Sequence, residues 1–124
     1  MKYVVSKKTL SRLIILCVGL FALTAFSAAR TMTTAVNIVN HSDRAIRNIY
    51  LSHVDVDDWG NNQLSEGTTI AAGQSYNLGN MTCDQQQVKV IAEDTDGCFL
   101  YQVVSCAGTS TWTITNDSPV DCGN

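Results

Sequence analysis

From residue 34 onward, short runs of β-branched and aromatic residues recur at roughly ten-residue intervals, separated by clusters of Gly, Asn, Asp and Ser. No window sustains the 3.6-residue period of an amphipathic helix. The runs predict strands over residues 34–39, 45–53, 68–71, 74–78, 86–93, 98–105 and 110–116. Trp112 and Ile114 alternate with Thr111, Thr113 and Thr115, and Val88, Val90 and Ala92 alternate with Lys89 and Glu93. One face of each of these strands is therefore expected in a core, with Trp112 as core filler rather than a ligand-stacking residue. Turn chemistry agrees with the spacing. Asn40-His41-Ser42-Asp43 separates the first two strands, Ala72-Gly73 the third and fourth, and Asp94-Thr95-Asp96-Gly97 closes a hairpin between the fifth and sixth. The pattern predicts an all-β fold, a small antiparallel β-sandwich of about seven strands.

The first 29 residues follow another pattern. A basic stretch with Lys2, Lys7, Lys8 and Arg12 leads into an apolar run over 13–25 and then Ser27, Ala28 and Ala29, the three-part layout of a secretory signal peptide. As a helix that run would span roughly 20 Å, short of the ~30 Å hydrocarbon core, so it reads as a cleaved signal and not as an anchor. Residues 1–29 are assigned to the signal, with cleavage after Ala29, leaving one domain over 30–124 without a membrane span. Cys17 leaves with the signal. The remainder holds four basic residues (Arg30, Arg44, Arg47 and Lys89) and all eleven acidic ones, a formal charge of −7. Such acidity argues against nucleic acid or an anionic membrane as the partner of the mature chain.

Four cysteines remain: Cys83, Cys98, Cys106 and Cys122. An even count in a small exported domain predicts disulfides, and neither a Cys-x-x-Cys pair nor a nearby histidine supports a zinc cluster or a redox site. Strand geometry chooses the connectivity. Along one extended strand, Cys98 and Cys106 would stand roughly 26 Å apart, far beyond disulfide reach. A hairpin closed at 94–97 pairs residues whose numbers sum to about 191–193, which brings Cys83 near Cys106 and leaves Cys98 at the turn end. The expected pairs are Cys83–Cys106 and Cys98–Cys122, each stabilising by about 3 kcal/mol in the loop-entropy model.

Residues 52–66 carry the densest candidate chemistry, Ser-His-Val-Asp-Val-Asp-Asp-Trp-Gly followed by Asn-Asn-Gln-Leu-Ser-Glu. Asp55, Asp57, Gly60 and Glu66 fit positions 1, 3, 6 and 12 of a calcium loop, although Trp59 and Asn62 break the pattern and the flanks read as strand and turn. His53, Asp55 and Asp57 would share one face of a strand and hold zinc only if it bent. The simplest alternative is a solvated acidic loop with Trp59 and Leu64 tucked under it. Catalytic motifs are lacking around His41 and His53, and paired cysteines leave no nucleophilic thiol, so no enzyme is expected. No cofactor is expected either, calcium being the one candidate.

The order Ala45-Ile46-x-x-Ile49-Tyr50-Leu51-Ser52, Asp57-Asp58-Trp59-Gly60-x-x-x-Leu64, Ala72-Gly73-Gln74-Ser75, then Cys83 before a strand and Cys106 after one, resembles a family of small secreted bacterial domains of unassigned function. The resemblance spans residues 34–116. It implies a compact extracytoplasmic β-domain with a Cys83–Cys106 crosslink and no particular activity; Cys98 and Cys122 depart from its pattern. Together these readings describe a secreted or periplasmic binding module for a protein or cell-envelope partner, with Trp59, Asp57 and Asp58 as the contact residues. A calcium-dependent module ordered by Asp55, Asp57 and Glu66, and an inhibitor or immunity-type protein, are the alternatives.

Overall fold

Alternating apolar positions and Gly- or Asp-rich breaks produce six strands: β1 (Met32–His41), β2 (Ile46–Ser52), β3 (Ser75–Cys83), β4 (Gln87–Asp94), β5 (Phe99–Ser105) and β6 (Gly108–Thr115). The computed structural model describes residues 32–123, so the signal peptide expected over 1–29 lies outside them. Two three-stranded sheets form, ordered β3-β1-β6 and β2-β4-β5. Val36, Ile38, Ile46, Ile49, Leu78, Val90, Ala92, Leu100, Trp112 and Ile114 fill the space between them. The described residues contain no helix, and none long and apolar enough to cross a membrane.

Three features depart from the sequence expectation. First, residues 68–71 are not a strand: only Ile70 pairs, through two hydrogen bonds with Ile46 of 3.0 and 2.9 Å. Gly67 and Gly73, both at positive φ, bracket too short a segment for a ladder. Second, the strand expected over 74–78 runs on through Gly79 and Asn80 to Cys83. The β1–β3 register shifts between Thr34 and Val36, so a bulge absorbs one extra residue, Gly79 and Asn80 standing opposite Ala35, with Asn80 at φ 56°. Third, β1 and β6 pair in parallel, although all the other pairs are antiparallel. Residues 106–107 carry the chain from one sheet directly to the other, and β6 enters beside β1 already running in the same direction.

Two disulfides cross the structure. Cys83, at the end of β3, joins Cys106, just after β5, at a Cα separation of 6.0 Å, linking the two sheets at one end. Cys98–Cys122 ties the C-terminal tail to the turn of the β4–β5 hairpin. These are the pairs selected by the hairpin arithmetic. They place the folded domain in an oxidising environment of extracellular type.

A buried amide joins the remaining loops. Asn40 is fully buried at the end of β1, and its Nδ2 donates towards the carbonyls of Arg44 (2.6 Å), Ile70 (3.1 Å) and Ala71 (3.3 Å). Its Oδ1 accepts from the Ser42 N–H and hydroxyl. One side chain thus satisfies the β1–β2 turn and the 70–71 segment together, and its removal strands several buried polar groups. Asn40→Ala is expected to destabilise the oxidised protein by about 3 kcal/mol in urea unfolding, whereas Asn77→Ala on the exposed side of β3 stays within about 0.5 kcal/mol. A cost below about 1 kcal/mol at Asn40 would contradict this role.

Candidate functional site

The site begins with the β4–β5 register. Pairs run from Gln87↔Ser105 to Glu93↔Phe99, a constant residue sum of 192. That register turns Val88, Val90 and Ala92 inward, and Lys89, Ile91 and Glu93 outward beside Val103, Tyr101 and Phe99. On the other side of β4, Tyr50 lies opposite Ile91. The outer face of this sheet therefore carries an aromatic row, yet Ile91 is only 2% exposed, because the 53–64 loop folds back across it. Trp59 packs against Tyr50 (ring centroids 5.5 Å) and edge-on against Phe99 (5.0 Å). A cavity of about 460 Å³ opens beside it, with Ile91 and Lys89 among its lining residues, together with Trp59, Tyr101, Val103 and Asp121. Tyr101 is 68% exposed and Trp59 39%.

The loop is held by local hydrogen bonds. Gly60 N–H donates to the Leu51 carbonyl at 3.2 Å and Gln63 N–H to that of Ile49 at 2.7 Å. Asn62 Oδ1 accepts from the Ile49 and Leu64 amides, and Leu64 enters the core. Asp58 accepts from the His53 N–H (2.8 Å) and the Ser52 hydroxyl (2.9 Å), and its second oxygen meets His53 Nδ1. The imidazole's other nitrogen lies 2.9 Å from Asp84 Oδ1, just past β3. A neutral imidazole has one N–H, so only the imidazolium satisfies both carboxylates. The hydrogen bonds from His53 hold Asp58 down to about 2 and also lower Asp84, while the two carboxylates push His53 up. Asp57 instead binds Lys89 Nζ at 2.8 Å, which lowers its carboxyl.

Glu93 anchors the turn end of the aromatic row. Burial pushes its carboxyl up, but hydrogen bonds from Arg47, Asn48 (2.7 Å) and the Tyr50 hydroxyl (3.0 Å), with the Arg47 charge, more than offset that and leave it below the usual range. Tyr50 is raised, first by burial and then by the Glu93 carboxylate. The carboxylate is thus fully engaged in fixing the ring that Trp59 rests on.

The sequence-predicted residues separate into groups. Trp59 lies on the aromatic face and Asp57 at its rim, whereas Asp58 is turned into the loop as an organising acceptor. The calcium set is not gathered: Asp57 is committed to Lys89, and Asp55 and Glu66 are exposed elsewhere on the loop. The zinc set fares similarly, with His53 bridging Asp58 and Asp84 instead of converging with Asp55 and Asp57. Among the described residues no three His, Cys, Asp or Glu side chains group as metal ligands. Sequence reading missed Tyr50, Ile91, Phe99, Tyr101 and Val103 as members of one surface. A signal was present: Ile91 occupies an outward position of β4, and β5 is apolar on both faces, which marks a covered or contacted outer surface.

No protein-family model matches the chain, and no curated protein matches it. An NMR structure of a protein from Eubacterium rectale is similar over 72% of this chain and 84% of its own, at 14% identity and a TM-score of 0.43.

The His53 bridge makes loop order depend on pH. Because His53 is raised, its contribution is fully present below the ordinary imidazole value of 6.5 and is lost as pH climbs through the folded value. Asp58 and Asp84 are lowered, so theirs is present above the ordinary 3.8 and is lost as pH falls through the folded values. The loop is therefore tightest between about pH 4 and 6.5. Thermal melts and Trp59 fluorescence followed from pH 4 to 9 should show stability declining above that window, and His53→Ala should flatten the decline. An unchanged profile in His53→Ala would remove the bridge from the account.

Proposed function

We propose that this chain is an exported binding module whose contact surface is the outer aromatic face of β2-β4-β5, engaging a protein or cell-envelope partner without catalysis. The observation that carries the reading is the pairing of a 68% exposed Tyr101 with Trp59 around a cavity of about 460 Å³. Exposed tyrosine and tryptophan beside a preformed hollow match the residue types that dominate interface energetics. The loop that carries Trp59 is already stitched to β2, so little order is left to be gained on binding, which favours affinity. The signal-like segment 1–29 and the two disulfides support export to the periplasm or medium.

Tyr101 is the informative residue, because its ring is exposed while Trp59 also packs on Tyr50 and Phe99. The oxidised protein, immobilised and exposed to periplasmic and cell-wall fractions, is expected to retain a defined component. Tyr101→Ala should lower that retention about tenfold, equivalent to about 1.4 kcal/mol, with its melting temperature unchanged. Trp59→Ala should lower both retention and stability. Retention unaffected by Tyr101→Ala would exclude this face as the contact surface.

A further inference from the structure

We infer that the free edge of β5 takes an extended, basic segment of a partner polypeptide by strand addition, its outward side chains entering the Trp59–Tyr101 groove. The inference rests on the aromatic face being the contact surface and adds the partner's chemistry and mode of binding.

The first observation is hydrogen-bond parity. Phe99 exchanges both of its backbone hydrogen bonds with Asp121 of the tail, at 2.7 and 2.9 Å, on the side away from β4. Cys98 and Cys106 bond instead towards β4, to Asp94 and Gln86. Ladder alternation then directs Leu100, Gln102 and Val104 to β4, and the N–H and C=O groups of Tyr101 and Val103 to the outside. Among the described residues no backbone beyond Asp121 pairs with this outer edge. The Val103 carbonyl accepts only the exposed Gln102 side-chain amide at 3.3 Å, which an added strand can displace, and Thr34 Oγ1 caps the edge at the Ser105 carbonyl.

The second observation is why the tail stops there. If the Phe99↔Asp121 pairing continued, residue 119 would lie opposite Tyr101 and owe it an N–H. Residue 119 is Pro, the chain's single proline, and it has none to give. The chain's own tail thus covers the start of the edge and is chemically barred from the rest. The opposite edge of the same sheet is treated differently: Gly60, Asn62, Gln63 and Ile70 bond to the edge groups of β2 along its length. One edge is closed and the other is left open beside a cavity.

The third observation selects the occupant. The side chains of Phe99, Tyr101 and Val103, which line the cavity, stand on the same strand as the free backbone groups. An added strand would lay alternate side chains against them. The rim carries Asp121, whose carboxylate accepts only the Gly123 N–H among the described residues, beside an Asp57–Lys89 ion pair that compensates itself, so the rim is acidic on balance. With a formal charge of −7 after residue 29, a second copy of this chain would be repelled and a basic segment attracted.

The test uses the protein expressed with its own leader, purified oxidised and ¹⁵N-labelled. The probe is a capped peptide alternating Lys with Val or Thr; companions carry Glu for Lys, or backbone N-methyl groups at alternate residues. An N-acetylglucosamine oligomer is titrated in parallel. The lysine peptide should shift the Tyr101 and Val103 amides, and both altered peptides should bind about tenfold more weakly. Val103→Pro removes an outward N–H and no ladder bond, so it should weaken the lysine peptide about tenfold while leaving the melt intact. Should that variant fail to fold, the N-methylated peptide decides the matter alone. Equal binding of the N-methylated peptide, or its persistence in folded Val103→Pro, would overturn strand addition yet leave the aromatic face as a contact surface. Saccharide binding at the face without peptide binding would overturn the polypeptide partner, as would silence of the lysine peptide up to millimolar concentration. Failure of the underlying surface would appear separately, as indifference of partner retention to Tyr101→Ala.

Discussion

The β4–β5 hairpin register is the constraint on which the rest depends. A constant pairing sum of 192 sends Val90 and Ala92 into the core and Ile91 out, and a slip of one residue would exchange the two faces. The same register brings the end of the hairpin beneath β3, where Cys106 meets Cys83, and leaves Cys98 at the turn to meet Cys122. It also decides which backbone groups of β5 face β4 and which face outward. The turn enforces it locally: Asp94 Oδ1 accepts the Asp96 and Cys98 amides at 2.9 Å, and Gly97 supplies the positive φ.

Around that hairpin, the molecule handles its loops with polar anchors instead of additional strands. Asn40 gathers the 42–44 turn and the 70–71 segment, Asn62 and Gly60 fasten the long loop to β2, and Asp58 with His53 closes its base. Of the acids that look like metal ligands in the sequence, Asp55 and Glu66 stay exposed and Asp57 pairs with Lys89 on β4, while the neighbouring Asp58 is the acceptor inside the loop. Asp57 and Asp58 thus flank Trp59 with anchored positions on either side of the segment that lays its ring against Tyr50 and Phe99.

Much of this was legible in the sequence. Period-2 alternation located the strands that build both sheets, the Asp-Thr-Asp-Gly turn located the hairpin, and extended-chain distances ruled out pairing Cys98 with Cys106. The all-β two-sheet architecture follows from these. Residues 68–71 misled because a β-propensity run flanked by glycines looks the same whether it makes a ladder or one bridge with Ile46. The strand expected to end at residue 78 runs on to Cys83, because Gly79-Asn80, residues that interrupt a β pattern, are taken up in a bulge instead of ending the ladder. The parallel β1–β6 pairing depends on which sheet the chain enters after Cys106, a tertiary choice that no local pattern encodes. The site was half visible. Trp59 stood out beside its acids, whereas its partners Tyr50, Phe99 and Tyr101 are scattered over some fifty positions and meet only once the register is set.

Amide hydrogen exchange on the oxidised protein tests the central claim most directly, because it reads the hairpin parity residue by residue. The account predicts alternation along β5: Leu100, Gln102 and Val104 slow, Phe99 slowed by Asp121, and Tyr101 and Val103 fast. Protection of Tyr101 and Val103 equal to that of their neighbours would mean that the edge is already covered, and would contradict both the register and the open surface built on it.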